Sequence, residues 1–579
     1  MPSFAKLMAD GSVLIYGKTT STDYPTTPGC IRSYSSMPIN GADQELIATR
    51  LNPDGTMGWS TYLGGNAIEQ YAYPVEYIFP DDSSVVVCAY TWNSNFEVTD
   101  GYLPYVDPIN GYGVSYFARI GYQGNLMWGR ILPGFNLVGE MALLPDNTIG
   151  IAGSTQGGLP TTPGAAFSSY GGDGDQAFIK LNLDGTTQYA TYFGGSGYES
   201  GLHFRSTPDS SVTLIGITSS TDFPVSPGAL QPFFGGGGSD MFFIKLGDAG
   251  QVLWSTYFGG DQQDWVANFN GTSRDLSIDP IQMHEDGTFA FISIVNSTNY
   301  PVTANAPLQT KYSNASYTDH GLTKVGGDGS LIFSTYLNGE SYNSFAKVRL
   351  LDDGRMVVIS VGSINRSLPV TPDAIQLNSR AAYYWEKRNM ILSVFDSSDY
   401  LCYSTFLDGA ILSYVNDNFI NDSIILISGS TSYGSNPVND YPVTPDAFQI
   451  FNAGGTSEGW ISKLSMRTPR SLDVISPAWQ EVCKLSNVIT RIEGPTTATY
   501  QILRNGVPET IETGPDFQWQ FSLDSIHWSD LPGETMPHLS PNATAQTTWF
   551  RRLSLSCGWV SGISNPSKLE VSTNVSPEV

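Results

Sequence analysis

The feature that most limits what this chain can fold into is a phrase that occurs seven times. TDYPTTPG, with its first proline at Pro25, returns as GLPTTPGAAF at Pro160, TDFPVSPGALQ at Pro224 and TNYPVTANAPLQ at Pro301. It returns again as SLPVTPDAIQ at Pro369 and NDYPVTPDAFQ at Pro442, and a worn copy, SNFEVTDGYL, puts Glu97 in the proline's place. The intervals are 72, 63, 64, 77, 68 and 73 residues, so seven copies fill most of a 579-residue chain.

Each copy carries two hairpin signatures. The first runs FAKLMADGSVLIYG (4–17) and recurs as ALLPDNTIGIAG (142–153), RSTPDSSVTLIG (205–216) and RLLDDGRMVVIS (349–360). A short strand meets a turn on Asp-Gly, Asp-Ser or Asp-Asn, residues that tolerate left-handed backbone angles, and a β-branched strand follows. The second reads LIATRLNPDGTMGWSTYLGG (46–65), AFIKLNLDGTTQYATYFGG (177–195) and MFFIKLGDAGQVLWSTYFGG (241–260). Two hairpins make a four-stranded sheet, and seven such sheets without helical periodicity point to a seven-bladed β-propeller. An open solenoid is the competing architecture, but its units are shorter. The blade phase is open between one repeat as written and a second hairpin joined to the following first hairpin. The second arrangement is favoured here. It makes the proline phrase a blade-to-blade linker, where a missing N–H costs nothing, and pairs 460–477 with 4–17 as a clasp.

Composition agrees with β structure. Charged residues are 14% and aromatics 12%, with 60 Gly and 35 Pro. A net charge of −26 without a Lys/Arg stripe excludes a nucleic-acid partner. Hydrophobic content of 40% excludes disorder, and no apolar run approaches a membrane span, so no membrane insertion is expected. Met1–Ser3 lead straight into a strand-like segment, and no signal peptide is expected there.

The STYFGG, TDFPVSPGALQ and GGGGSDMFFIKL segments of residues 185–260, with their Asp-Gly turn, resemble the SBBP family, seven-bladed propeller repeats of secreted and cell-surface bacterial proteins. The resemblance covers about 1–475, with repeats near 4–65, 77–134, 142–195, 204–260, 281–339, 348–409 and 414–475. It implies a secreted, cell-surface-associated location rather than a reaction. From Ser476 the repeat stops, and residues 476–579 are read as a second domain. Its pattern of Phe517–Gln520, Asp524 to Trp528, Pro537–Pro541, Thr547–Arg552, Cys557 and Ser564-Asn565 resembles the Ig-like or PKD-like sandwich modules of large surface proteins from gliding and related bacteria. That likeness implies type IX secretion. The chain ends at Val579 without the sorting domain of that pathway, so either it belongs to something longer or the inference fails. The expected fold is therefore all-β, a seven-bladed β-propeller followed by an Ig-like β-sandwich. Cys483 and Cys557 flank the sandwich, where a disulfide would bridge its sheets.

The remaining chemistry is sparse. Cys88 in VVVCAY reads as a small buried residue, Cys30 and Cys402 are not expected to pair, and without a CxxC a zinc site is not expected. His203 and His320 are isolated and read as structural or surface residues. No HExxH, GxSxG elbow or Walker loop occurs, so the chain is not expected to be an enzyme. Glu69, Glu199 and Asp264 each stand four residues after the GG of their repeat. They read either as a ring of carboxylates able to bind cations or, more simply, as groups that hydrogen-bond a turn in every repeat. Asp173 and Asp175 have calcium-loop spacing without the other ligands, so calcium is at most a weak candidate cofactor. Trp59, Trp128 and Trp254 occupy equivalent places and read as packing. Trp92, Trp265 and Trp385 are unmatched between repeats and are the candidates for gripping a ligand.

These features favour an extracellular, non-catalytic binding or adhesion module, with the propeller as head and the Ig-like domain as spacer. Its partners would be a cell-surface glycan or protein, or further domains or copies of the same assembly. The alternatives are a structural subunit of an oligomeric appendage and a secreted carbohydrate-active enzyme with a central-funnel site.

Overall fold

The computed structural model describes residues 2–35, 45–63, 77–81, 83–91, 98–99, 114–267, 281–311, 318–338, 345–362, 369–371, 374, 389–407, 412–421, 424–432, 457–465, 479–483, 498–504, 507–513, 516–532, 535, 539, 547–556, 559–563 and 567–572. Among the described residues every regular element is a strand. The chain divides into two compact units, Met1–Pro301 with Thr323–Ile332, and Val302–Leu322 with Phe333–Val579.

Seven antiparallel sheets follow one another between Pro2 and Ser465, each built within one copy of the repeat. This is a propeller-like β organisation. The third sheet runs Phe135–Leu143, Ile149–Thr155, Asp175–Leu181, Thr187–Phe193 in spatial order, and the fourth runs Glu199–Ser206, Val212–Thr218, Asp240–Leu246, Val252–Phe258. The first, second and sixth sheets repeat this order. In the fifth, two short strands, Asp264–Val266 and Ile281–Met283, share the first place against Phe289–Val295. The seventh shows three described strands.

The expected blade phase is corrected by this topology. Pro2–Leu7 pairs with Val13–Thr19, Ser457–Ser465 pairs with Ile424–Ser432, and no clasp joins them among the described residues. The reason lies in the middle of each sheet. Second and third strands pair over their whole length, from Ile149↔Leu181 to Thr155↔Asp175 in the third sheet. The proline phrase therefore runs inside a sheet's own connection and crosses to its fourth strand. Thr27 N, Thr162 N and Ser226 N donate to Ser60 O, Ala190 O and Ser255 O at 3.1–3.2 Å. It covers an edge that would otherwise present free backbone groups.

The repeat motifs now have structural causes. In the Asp-Gly turns the aspartate accepts from the backbone N–H two residues on, as Asp54 does from Thr56 and Asp184 from Thr186, both at 2.9 Å. In STYFGG the threonine hydroxyl accepts from the linker (Gln231 N to Thr256 Oγ1, 2.8 Å), while the tyrosine hydroxyl accepts from Phe223 N at 2.7 Å and donates to Ser220 O at 2.8 Å. A basic residue of the third strand reaches the first turn's aspartate in three sheets: Arg50–Asp10 at 2.9 Å, Arg119–Asp81 at 2.8 Å and Lys180–Asp146 at 2.7 Å.

Neighbouring sheets are locked by the tryptophans. Trp59, Trp128 and Trp254 donate Nε1 to Tyr122 O, Leu183 O and Gly327 O at 2.8, 2.8 and 3.0 Å. Each ring lies against the turn glycine of the next sheet. Glycine-rich connections close the other end. At Gly237, φ is +66° and an added Cβ would stand 2.5 Å from the backbone carbon of Gln262. Gly237→Ala is expected to cost about 2–4 kcal/mol in urea unfolding, since left-handed strain and a backbone clash add; a loss under about 0.5 kcal/mol would contradict this close approach.

Beyond the repeats, a sheet orders Trp479–Cys483, Ser567–Ser572, Thr548–Ser556, Asp516–Ser522 and Ser529–Asp530, with Trp559–Ile563 on Thr548–Ser556 and a separate hairpin at Ala498–Arg504 and Val507–Thr513. Its outer pair, Trp479–Cys483 with Ser567–Ser572, is parallel. Trp519, Leu539 and Phe550 form its buried cluster, and Trp519 stands opposite the buried Arg552.

Candidate functional site

The acidic positions singled out by the repeat resolve into two equivalent pairs. Asp175 opens the third strand of the third sheet, and Glu199 opens the first strand of the fourth. Asp240 and Asp264 stand in the same places one sheet further on. All four are buried. The first glycine of a GG stands between Asp175 and Glu199, and its counterpart stands against Asp240. An added Cβ at Gly194 would meet Glu199 Oε2 at 2.5 Å and Asp175 Oδ1 at 2.6 Å; at Gly259 it would meet Asp240 Oδ1 at 2.5 Å.

The second glycine turns its N–H toward the later carboxylate. Gly195 N donates to Glu199 Oε2 at 3.2 Å, and Gly260 N to Asp264 Oδ2 at 2.9 Å. Glu199 Oε1 also accepts from Thr218 and Ser220 hydroxyls, each at 2.5 Å. Asp264 accepts from the Ser297 hydroxyl at 2.7 Å, from Asn296 N at 2.9 Å and from Ser297 N at 3.1 Å. Asp175 and Asp240 take Gly171 N and Gly235 N on Oδ2, at 2.7 and 2.5 Å. The Oδ1 atoms of Asp175 and Asp240 are buried with no hydrogen-bond partner.

Burial raises all four carboxyl groups above their ordinary range. Asp240 is pushed up to about 7, by burial first and by the neighbouring Asp264 charge, against the pull of Gly235 N–H. Glu199 is raised by burial and further by Asp175.

A second cluster sits where the first strands of the third and fourth sheets approach. Arg205 Nη1 donates to Glu140 Oε1 at 2.6 Å, Phe204 N to Glu140 Oε2 at 2.8 Å, and His203 Nδ1 lies 3.5 Å from Oε2. Burial pushes the Glu140 carboxyl up, but the Arg205 charge and the His203 hydrogen bond outweigh it and hold the group below its usual value. Glu140 and His203 are partly exposed.

The other expectations fall unevenly. Asp173 is exposed and donates its backbone N–H to Gly197 O, whereas Asp175 is a buried strand residue, so the two do not share one loop. Trp265 is half-buried in the short strand Asp264–Val266. Glu69, Trp92, Trp385 and Cys557 lie outside the described residues, as does the Cys483–Cys557 pairing. Cys402 is disulfide-bonded, which nothing in its sequence surroundings signals. Cys30 and Cys88 are free, and burial pushes the Cys88 thiol up. Sequence reasoning missed Asp240 and the partnership of Asp175 with Glu199. The available signal was the acidic residue that opens the third strand at Glu45, Asp175, Asp240 and Asp319. Glu140 carried no signal, because its partners lie on another sheet.

Among known proteins, residues 492–573 match the model of a domain of unknown function (DUF8696). No curated protein matches the chain. Among solved structures, it is similar to an acylaminoacyl peptidase of Pyrococcus horikoshii (TM-score 0.28, 9% identity, 83% of this chain and 58% of that one). It is also similar to a rhamnogalacturonan lyase (TM-score 0.26, 11% identity, 99% and 92%) and to a lignostilbene dioxygenase of Pseudomonas brassicacearum (TM-score 0.25, 10% identity, 85% and 90%). The chain thus spans little more than half of the peptidase, and at these scores the likenesses say nothing of activity.

Proposed function

We propose that this protein is an extracellular, non-catalytic binding or adhesion module of a larger bacterial surface protein. In this reading a seven-bladed propeller presents the ligand-gripping loops and an Ig-like domain serves as spacer. The observation that supports it is a set of exposed rings on rigidly anchored connections. Phe233 is 79% exposed and Tyr34 64%, at equivalent places in the linkers of the fourth and first sheets. Tyr198, 52% exposed, lies on the turn into the fourth sheet, at the end where that sheet's third strand also begins. Exposed aromatics held on a stiff scaffold make contact anchors, because little side-chain freedom is lost on binding. A glycan array and intact bacterial cells, probed with the full chain, test this. Saturable binding that falls at least tenfold in Tyr198→Ser/Phe233→Ser, with unchanged thermal midpoint, is the expected result. Absence of binding to both surfaces would remove the reading.

A second reading, a secreted carbohydrate-active enzyme, draws on the Glu140–His203–Arg205 cluster alone. Cleavage of any polysaccharide by the wild type, lost in His203→Ala without loss of fold, would favour it over the first.

A further inference from the structure

We propose that the carboxylate pairs Asp175/Glu199 and Asp240/Asp264 are two equivalent sites for a hard divalent cation, calcium by their donor chemistry. The first support is what the pairs leave open. Asp175 Oδ1 and Asp240 Oδ1 belong to residues 1% and 0% exposed and have no hydrogen-bond partner, a state that is costly for a polar atom and more so for a charged one. Both face the hollow left by a missing side chain, at Gly194 and at Gly259. Glu199 Oε2 borders the first hollow directly. In the second, Asp264 Oδ2 takes the N–H of Gly260, the residue next to the hollow. The orphaned Oδ1 at the hollow, and the following glycine's N–H on the later acid, recur in two consecutive repeats whose linkers and turns differ in sequence.

The groups acting on these four carboxylates are backbone N–H groups, serine and threonine hydroxyls, and neighbouring carboxylates. Two negative charges in a water-poor place need a counter-charge, and a cation in the hollow supplies it while occupying the open lone pairs. Every donor is oxygen, which selects a hard ion. Calcium accepts irregular oxygen shells that include turn carbonyls and waters, whereas magnesium holds its waters and demands octahedral geometry. A single proton shared within each pair is the rival explanation of the same geometry, and experiment separates them.

The test uses the full chain stripped with EGTA. Calorimetric titration with calcium chloride should reveal two equivalent sites and raise the thermal midpoint. Asp175→Asn and Asp240→Asn should each reduce the stoichiometry from two to one. Terbium luminescence gives a readout without substitutions, because Tyr192 and Tyr257 lie within electrostatic reach of the pairs. Tyrosine-sensitised emission that calcium displaces is expected. Absent heat and absent emission overturn the proposal in favour of the shared proton. Unchanged stoichiometry in folded variants overturns it as well.

Discussion

Trp128→Ala is expected to destabilise the protein by about 3–5 kcal/mol, the range for removing a buried large aromatic. Trp128 is 4% exposed and sits in the cluster formed by the second and third sheets. Its Nε1 donates to Leu183 O in the next sheet, so truncation leaves that carbonyl without its partner as well as opening a cavity. Its ring also lies where a Cβ on Gly185 would stand, 2.9 Å from Cδ2, and Gly185 has φ +85°. No other residue fits that turn while the tryptophan is present. Trp128→Phe keeps most of the ring and loses the N–H donor, and should cost only about 1–2 kcal/mol. Urea unfolding followed by far-UV circular dichroism gives both values. An alanine variant within 1 kcal/mol of wild type would show that the lock between sheets contributes little.

The second large effect is a pH dependence seen with chelator present. Asp240 has a folded value of about 7 against an ordinary 3.8. Below 3.8 both folded and unfolded chains carry the proton, and stability from this group is complete. Between 3.8 and 7 the unfolded chain ionises while the folded one does not, so stability falls by about 1.4 kcal/mol per pH unit. Above 7 the loss is complete, on the order of 4 kcal/mol. Glu199, Asp175 and Asp264 are raised as well and act in the same sense. Asp240→Asn removes one of these titrations. In EGTA its thermal midpoint should match wild type near pH 4 and exceed it at pH 8, by about 5 °C for a unit of some 300 residues. Parallel curves for the two proteins would show that burial does not penalise this charge. In calcium the order should reverse, because the variant has lost a ligand.

Much of the fold was legible because a repeat multiplies every signal. The Asp-Gly turns, the alternating strands and the STYFGG endings each occur several times, and the sheets appear where those motifs place them. The phase was not legible. Both candidate phases use the same hairpins, and only the ladder from Val13↔Leu51 to Thr19↔Glu45 shows that the proline phrase bridges two neighbours of one sheet. The later acid of each pair was legible from its place four residues after GG, and the hydrogen-bonding role foreseen for it is present at Glu199 and Asp264. The earlier acid was not, since Asp175 lies 24 positions before Glu199 and on a different sheet. Glu140, His203 and Arg205 meet through two separate strands, and single-residue patterns do not report such meetings.

The proline linkers carry a consequence for engineering. Each is pegged to its own outer strand on both sides of a tight turn, and at the turn glycines Gly29, Gly164 and Gly228 an added Cβ would meet nothing within 4 Å. The ladder on either side is set by other residues, so this turn can lengthen without shifting a register. Foreign peptides grafted there, one per sheet, would be displayed as a spaced array on a single polypeptide.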